Sequence, residues 1–228
     1  MAEKRIKIAI DGPAASGKST TARLVARRLN YLYIDSGAMY RAITLKALRR
    51  GIPTMDTGRV AELSLQTRIE FKQNDLRTEV YMDGEDVSAA IRLPEVAQNI
   101  SPVAANPRVR EILVEKQQSL GRNGGVVMDG RDITTVVFPD AELKIYMQAS
   151  AEERARRRVK ELEEKGIASN FQEVLEDIIR RDRADLTREH GPLKQAPGAV
   201  VIDTTALSIE EQVEKIYRLA LKIIREKN

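Results

Sequence analysis

The 228-residue sequence has no cysteine and no tryptophan, and aromatic residues make up only 4% of it. Without cysteine there can be neither disulfide bonds nor thiolate metal ligands. Few aromatic rings are available to stack on bases, as single-strand-binding proteins require. No stretch approaches the roughly 20 apolar residues that span a bilayer, and residues 1–7 lack the apolar core of a secretion signal. We therefore expect a cytoplasmic protein with no membrane partner.

The sequence also lacks a large net charge. Lys and Arg number 38 against 34 Asp and Glu, a net charge of +4, and both signs are interspersed along the chain. Proteins that bind polynucleotides concentrate their basic residues in a patch or stripe, so we expect no polynucleotide partner. Because no extended apolar heptad is present either, we expect a monomer.

A glycine-rich segment follows the first apolar run. Residues 12–19 read Gly-Pro-Ala-Ala-Ser-Gly-Lys-Ser and match G-x-x-x-x-G-K-[ST] at every fixed position, directly behind the apolar run 6–10. Such a loop turns its N–H groups toward phosphate oxygens, and the helix that follows adds the positive end of its dipole. In this pattern Lys18 reaches the β- and γ-phosphates and the Ser19 hydroxyl binds Mg²⁺. The sequence therefore predicts a nucleoside triphosphate site.

Strands and helices are predicted to alternate along the chain. Apolar runs predict strands at 6–10, 31–34, 125–128, 143–147 and 200–202. Apolar spacing predicts a helix through residues 22–29 and another at 39–50, and Asn106-Pro107 and Gly121 mark the ends of a third. Helix starts of the capping-box type are predicted at Ser150, Asn170 and Ser208. Alternation of this kind predicts a parallel sheet covered on both faces, with ligands at the carboxyl ends of its strands.

One segment breaks the alternation. Residues 67–72 alternate between polar and apolar, Asn74-Asp75 is a turn signal, residues 79–82 are β-prone and Asp83-Gly84 is a hairpin dipeptide. We predict a small antiparallel insertion over about 63–100.

Four polar clusters carry candidate chemistry beyond the glycine-rich loop. They are residues 35–41 (Asp-Ser-Gly-Ala-Met-Tyr-Arg), 129–132 (Asp-Gly-Arg-Asp), 152–158 (Glu-Glu-Arg-Ala-Arg-Arg-Arg) and 181–188 (Arg-Asp-Arg-Ala-Asp-Leu-Thr-Arg). Three of them begin or lie where a parallel sheet delivers a ligand. Together they suit a second anionic nucleotide, although residues 152–158 also have the composition of an ordinary solvated helix.

With the glycine-rich loop, these clusters resemble the bacterial cytidylate kinase family of the nucleoside monophosphate kinase group, along nearly the whole chain. The resemblance implies an α/β P-loop nucleoside-monophosphate-kinase fold: a five-stranded parallel sheet flanked by helices, with a small antiparallel β insertion and a helical lid. It implies one kinase domain over 1–228, a monophosphate-binding subdomain inserted at 63–100, and a lid with arginine-rich helices at 150–190. The implied reaction, in pyrimidine nucleotide metabolism, transfers the γ-phosphoryl group of Mg-ATP to CMP or dCMP.

The resemblance also implies residue roles. The residues implied to hold the ATP phosphates are Gly12, Pro13, Ala14, Ala15, Ser16, Gly17, Lys18, Ser19 and Thr20. The implied lid arginines are Arg154, Arg157 and Arg158. The residues implied on the monophosphate side are Ser36, Arg41, Arg131, Arg181 and Arg188. Those implied at the cytosine are Ser101, Arg110 and Asp132, with Arg188 nearby, and those at the sugar are Asp185 and Arg181. The candidate catalytic residues are Lys18, Arg131, Arg158 and Arg181.

Two positions depart from the family pattern. Thr134 stands where the family usually has glycine, which leaves the local backbone conformation to be determined, and Thr187 replaces the usual serine. Asp129 is the best candidate to orient metal-bound water beside Ser19, but a loop-capping role fits it equally. Asp35 carries the same ambiguity.

The chemistry of cytosine supports the implied base contacts. Cytosine presents an amino donor beside two acceptors, so its site needs a carboxylate or hydroxyl acceptor next to a cationic donor. Asp132, Arg110 and Ser101 are of these types. The O4 of uracil would face Asp132 acceptor to acceptor, and an unpaired buried group costs about 1–3 kcal/mol. We therefore expect CMP to be preferred over UMP.

Two alternatives stay open at this point. One is a kinase for another small acceptor such as UMP, and the other is a P-loop ATPase or GTPase that works on a partner. The guanine-reading pattern N-K-x-D is absent from the chain, which counts against a GTPase. The single histidine, His190, lies next to Gly-Pro in an apparent loop and is interpreted as a solvated residue.

Overall fold

The computed structural model describes residues 5–73, 78–164 and 166–227. In chain order the strands and helices are β1 (Lys7–Asp11), α1 (Lys18–Leu29), β2 (Leu32–Asp35), α2 (Ser36–Arg49), α3 (Thr57–Gln66), β3 (Ile69–Gln73), β4 (Thr78–Met82), β5 (Glu85–Asp86), α4 (Pro94–Ala105), α5 (Pro107–Leu120), β6 (Val126–Gly130), β7 (Leu143–Gln148), α6 (Ala151–Glu164), α7 (Phe171–Thr187), β8 (Val200–Asp203) and α8 (Ile209–Lys227). A 3₁₀ turn at Ala90–Arg92 and a π-helical turn at Ile133–Val137 complete the regular structure of these residues. None of the helices in this part of the chain combines the length and apolarity needed to cross a membrane.

The five strands predicted from the apolar runs form one sheet, and their order in it is β2-β6-β1-β7-β8. β1 pairs in parallel with both β6 and β7, and β7 pairs in parallel with β8. The described residues divide into two compact units, one within 1–31 and 125–228 and the other within 32–124. In the first unit, the register places Asp11 opposite Gly130 of β6 and Tyr146 of β7. The loops that leave β1 and β6 therefore start side by side.

Capping residues start three helices of the first unit where they were predicted. The Ser150 hydroxyl accepts from the Glu153 N–H at 3.2 Å, and Asn170 Oδ1 accepts from the N–H groups of residues 172 and 173. At α8 the box is reciprocal, because the Ser208 N–H donates to Glu211 at 2.8 Å while the Glu211 N–H donates to the Ser208 hydroxyl at 3.2 Å. These contacts satisfy N–H groups that the first helical turn leaves without partners.

The second unit holds a small antiparallel sheet, as predicted. β3 pairs with β4 from Ile69 opposite Met82, and β4 pairs with β5. Asp83 and Gly84 connect β4 to β5 with positive φ angles of 52° and 91°, the backbone that a two-residue hairpin turn requires. The predicted turn at residues 74–75 lies outside the described residues.

Helices flank this sheet at positions where the sequence analysis did not predict them. α3 begins at Asp56, whose carboxylate accepts from the Arg59 N–H at 3.1 Å. α4 contains Pro102, which cannot donate to its helix, and yet it packs against α2 and α5. Val96 and Val103 of α4 are buried in the hydrophobic core of this unit. Packing of these two side chains offsets the poor helix propensity of the segment.

The start of α5 generates a stability prediction. Asn106 is buried, its Oδ1 accepts from Arg108 N–H and Val109 N–H at 3.1 and 3.4 Å, and its Nδ2 donates to the Thr57 carbonyl at 2.9 Å. We expect Asn106→Ala to lower the free energy of unfolding by about 1–2 kcal/mol, measured by denaturant titration, because a cap and a tertiary hydrogen bond are both lost. Asn99→Ala is the control, since the Asn99 amide bonds to Glu95 within its own helix. Equal losses in the two variants would contradict the prediction.

Candidate functional site

The phosphate loop, residues 12–17, joins β1 to α1 in a conformation that depends on glycine. A Cβ on Gly12 would lie 2.2 Å from the Met147 carbonyl oxygen of β7, where there is no room for an atom. Gly17 has a φ of +89°, in the left-handed region, and Ala15 also has a positive φ of 58°. Alternation of left- and right-handed backbone turns successive N–H groups to one side, the arrangement that binds anions.

Polar side chains of the loop are arranged for a ligand. Lys18 is buried at the start of α1, and its ammonium donates to the Pro13 carbonyl across the loop at 3.0 Å. Ser16 Oγ is buried and has no hydrogen-bond partner among the described residues. A buried hydroxyl without a partner is costly, and a bound phosphate oxygen would supply one. Thr20 is exposed on the first turn of α1.

Ser19 and Asp129 form an oxygen pair beside the loop. The Ser19 hydroxyl donates to Asp129 Oδ2 at 2.6 Å, and Asp129 is buried at the end of β6. A hydroxyl and a carboxylate are ligands suited to Mg²⁺, which keeps several waters and shares its shell with substrate phosphates. Within the described ranges, no group of three or more His, Cys, Asp or Glu residues could hold a metal by itself.

Two of the predicted lid arginines have contacts at the phosphate loop, one with the loop itself and one with Thr204, which bonds to it. Arg154 is buried and donates to the Ala14 carbonyl at 3.2 Å, and its guanidinium also makes a two-pronged pair with Asp182 of α7 at 3.0 and 2.5 Å. Arg157 donates to the hydroxyl and carbonyl of Thr204 at 3.1 and 2.5 Å. The Thr204 hydroxyl in turn donates to the Ser16 carbonyl at 2.9 Å.

The remaining candidates on α6 and α7 lie on exposed faces. Arg158 pairs with Glu161 at 2.7 Å, one turn along α6, and Arg181 pairs with Asp177 at 2.9 Å on α7. Both guanidinium groups therefore pair with acidic residues of their own helices. His190 is half-exposed outside any helix or strand, 4.0 Å from Glu189, in agreement with its interpretation as a solvated loop residue.

A second polar cluster follows β6 in the same unit. Arg131 Nε donates to Asp185 Oδ2 at 2.5 Å, and Arg188 lies 3.6 Å from Asp132 Oδ1 and 4.0 Å from Asp185. The Arg188 Nε also donates to the Gly191 carbonyl at 2.5 Å, which holds the guanidinium in place. Candidate residues from two segments that are 54 residues apart in the sequence, Arg131 and Asp132 from one and Asp185 and Arg188 from the other, therefore meet in space.

Asp11 supports this cluster, and the sequence analysis did not identify it. The side chain is fully buried, its Oδ1 accepts from Ile133 N–H at 2.9 Å, and its Oδ2 accepts from the N–H and hydroxyl of Thr134 at 2.8 and 2.6 Å. Burial raises the pKa of Asp11 from 3.8 to about 6, against the opposing effect of these hydrogen bonds. Three donors on its two oxygens favour the carboxylate form. A charged residue at the end of an otherwise apolar strand is the sequence signal that could have found it.

The structure also settles the backbone at Thr134. This residue is not among those with positive φ, so glycine is not required there. Its hydroxyl instead adds a third hydrogen bond to Asp11. Thr187, the second departure from the family pattern, bonds its hydroxyl to the Arg183 carbonyl within α7 at 2.8 Å.

In the second unit, Asp35 and Arg41 form a pair at the start of α2. Asp35 caps the helix by accepting from Ala38 N–H at 2.9 Å, and its other oxygen accepts from Arg41 at 2.7 Å. Ser36 is buried at the first helical position. Arg41 Nε is buried without a hydrogen-bond partner in the described chain. The guanidinium of Arg41 thus keeps donor capacity for a ligand.

Arg110 and Ser101 belong to the same unit. Arg110 is only 5% exposed on α5, and its guanidinium carbon lies 5.9 Å from the centre of the Tyr40 ring. It also donates to the Ala104 carbonyl at 3.5 Å. Ser101 is exposed on α4. A buried arginine against an aromatic ring has a restricted orientation.

Comparisons with known proteins agree with this arrangement. The family model described as cytidylate kinase matches residues 8–222. A protein named cytidylate kinase from Limosilactobacillus reuteri (strain DSM 20016) is 50% identical over 220 residues, covering 96% of each chain. Another of that name from Bacillus anthracis (strain CDC 684) is 51% identical over 221 residues, covering 97% of this chain and 98% of its own.

One solved structure supports the fold alone. The crystal structure of an uncharacterized protein from Eubacterium ventriosum superposes with a TM-score of 0.51 over 96% of this chain and 99% of its own, at 12% sequence identity. At that identity the likeness carries no information about substrates.

The close approach at Gly12 generates a binding prediction. We expect Gly12→Ala to weaken ATP binding at least about tenfold in titration calorimetry, because the added methyl cannot fit against the Met147 carbonyl unless the loop moves. Gly58→Ala is the matched control. The nearest neighbour of its Cβ, an Asp56 oxygen, is 3.9 Å away, and alanine favours the helix there. Unchanged ATP affinity in Gly12→Ala would contradict the glycine requirement.

Proposed function

The chain belongs to the cytidylate kinase family, and we propose that it transfers the γ-phosphoryl group of Mg-ATP to CMP or dCMP, giving ADP and CDP or dCDP. One observation carries the proposal. The phosphate loop and the Arg131–Asp132 segment follow two adjacent parallel strands, β1 and β6. An anion site and a polar cluster suited to a second nucleotide therefore lie side by side at the carboxyl ends of these strands.

ATP is the proposed donor, bound through its phosphates at residues 12–20. The N–H groups of the loop, the ammonium of Lys18 and the hydroxyl of Ser16 supply the donors for phosphate oxygens. Arg154 and Arg157 contact the loop or the residue that supports it, which agrees with a role beside the donor.

Magnesium is proposed to accompany ATP. Ser19 would bind the ion and Asp129 would orient its water, since these two side chains already share a short hydrogen bond. Asp35, the other candidate, is engaged as the cap of α2 and the partner of Arg41. When bound, Mg²⁺ offsets negative charge on the phosphates.

CMP is proposed to bind through its phosphate, sugar and base. The proposed binding residues are Ser36, Arg41, Ser101, Arg110, Arg131, Asp132, Arg181, Asp185 and Arg188. Asp132 is proposed as the acceptor for the cytosine amino group, and the Arg188 guanidinium lies 3.6 Å from its Oδ1. Asp185, whose carboxylate accepts from Arg131 Nε, is proposed to bind the sugar together with Arg181.

The transfer step needs alignment and positive charge more than a base. The attacking phosphate oxygen of CMP is already anionic near neutral pH, so no general base has to remove a proton. Lys18, Arg131, Arg158 and Arg181 are proposed to stabilise the charge on the transferred group. Arg158 and Arg181 occupy exposed faces in this structure, and we therefore propose that they act when residues 150–190 close as a lid over bound nucleotides.

The organisation of the chain completes the proposal. We assign 1–228 to one kinase domain, 63–100 to a monophosphate-binding subdomain and 150–190 to the lid. The enzyme is proposed to act as a monomer in the cytoplasm, without polynucleotide or membrane partners.

Acceptor specificity provides the first test. We expect ADP release from Mg-ATP to be strong with CMP and dCMP, and kcat/KM for CMP to exceed that for UMP at least about tenfold, because uracil O4 faces the Asp132 carboxylate. The measurement is a coupled ADP assay with no acceptor and with CMP, dCMP, UMP, AMP or GMP. Equal values for CMP and UMP would refute the base contact, and acceptor-independent ADP release would indicate an ATPase.

Arg158 provides the second test. We expect Arg158→Ala to lower kcat at least tenfold while leaving the unfolding midpoint nearly unchanged. The exposed pair with Glu161 is worth about 0.2–0.5 kcal/mol, whereas an arginine on the transferring phosphoryl group contributes about 10³–10⁵ in rate. Arg156→Ala is the matched control, since Arg156 forms a comparable exposed pair with Glu153 on the same helix. If both variants keep normal turnover, Arg158 is only a solvated side chain.

A further inference from the structure

Asp11 is a buried carboxylate with no part in binding either proposed nucleotide. It ends β1 directly before the phosphate loop, and its three hydrogen bonds all go to the two residues that follow Asp132. These three hydrogen bonds restrain the backbone of the segment that follows Asp132.

The bonds restrain the backbone at Asp132 from both sides of one peptide group. The N–H of the peptide that links residues 132 and 133 donates to Asp11 at 2.9 Å. The carbonyl of that same peptide accepts from Val136 N–H at 2.8 Å and from Val137 N–H at 3.2 Å, inside the π-helical turn. Because both polar atoms of this peptide plane are held, its orientation relative to Asp132 is restrained, at a ψ of 23° for Asp132. π-Helical turns of this kind are frequent at functional sites.

We propose that Asp11 is a positioning residue that aims the Asp132 carboxylate and thereby sustains the choice of cytosine over uracil. The inference rests on the proposed function, in which Asp132 accepts the cytosine amino group. Arg188 holds the side-chain end of Asp132 at 3.6 Å, while Asp11 holds its backbone. A misplacement of about 1 Å in such a contact is enough to lose discrimination.

The chemistry at this position calls for a carboxylate. Three donors converge on its two oxygens, one on Oδ1 and two on Oδ2. An amide has a single oxygen, so in either orientation its NH₂ group would face at least one N–H donor. Asparagine is nearly the same size as aspartate, so Asp11→Asn opens no cavity. It replaces a hydrogen bond from a backbone N–H by a repulsion between that N–H and the amide NH₂ group.

The experiment measures kcat/KM for CMP and for UMP with Asp11→Asn, and KM for both CMP and ATP. We expect the CMP-to-UMP ratio to fall at least about fivefold, and KM for CMP to rise more than KM for ATP. Thr134→Val removes only the hydroxyl donor and keeps both backbone bonds, so we expect a two- to threefold fall in the ratio. A purely structural role would lower stability and leave the ratio unchanged.

Ile145→Val is the control for lost stability. It removes one methyl group from a fully buried residue in the centre of β7, opposite Ile10 of β1. An unchanged ratio in Asp11→Asn would overturn the proposal. If Asp11→Asn does not fold, the test is the ratio of kcat/KM for CMP to that for UMP in Thr134→Val. A ratio equal to that of Ile145→Val would then overturn the proposal. Absence of CMP-dependent turnover in the unmodified chain would overturn the proposed function itself, and this role of Asp11 with it.

Discussion

The parallel pairing of β1 with both β6 and β7 is the constraint on which the other features of the first unit depend. It places the carboxyl ends of three strands together, so that the loop after β1 meets Asp129 from β6 and the Met147 carbonyl from β7. The contact with Met147 leaves no space for a side chain at Gly12. The contact with Asp129 orients the Ser19 hydroxyl. A change in register by one residue would remove both contacts at once, because successive side chains point to opposite faces of the sheet.

The charged groups of this unit are held by one another before any ligand arrives. Arg154 pairs with Asp182, Arg131 with Asp185, and Arg188 lies between Asp132 and Asp185. A guanidinium that is already oriented loses less conformational freedom when it binds phosphate. Pairs that are buried or half-buried are also screened less by salt than exposed ones. The arrangement therefore favours preorganised electrostatic stabilisation, which is the main requirement of phosphoryl transfer.

Local signals predicted much of the fold and failed where packing overrides them. The start of α5 at Asn106 and the turn at Asp83-Gly84 follow from short-range hydrogen bonding and backbone preference, which sequence patterns report directly. α4 was not predicted, and its first residues lie in the span 63–100 that was predicted as an antiparallel insertion. Burial of Val96 and Val103 favours this helix although it contains Pro102. The roles of Asp11 and Thr204 were missed for a related reason. Asp11 bonds to Ile133, and the Thr204 hydroxyl bonds to the Ser16 carbonyl, each more than 100 residues away along the chain.

The sequence by itself determined the phosphate-loop motif, the alternation of strands and helices, and the family, because each depends on residue types at fixed short spacings. Tertiary structure alone decided which carboxylate accompanies Ser19, which arginines reach the phosphate loop and what holds Asp132 in place. These questions concern distances between segments far apart in the chain. Such distances are set by strand register and helix packing, since no local pattern of residues encodes them.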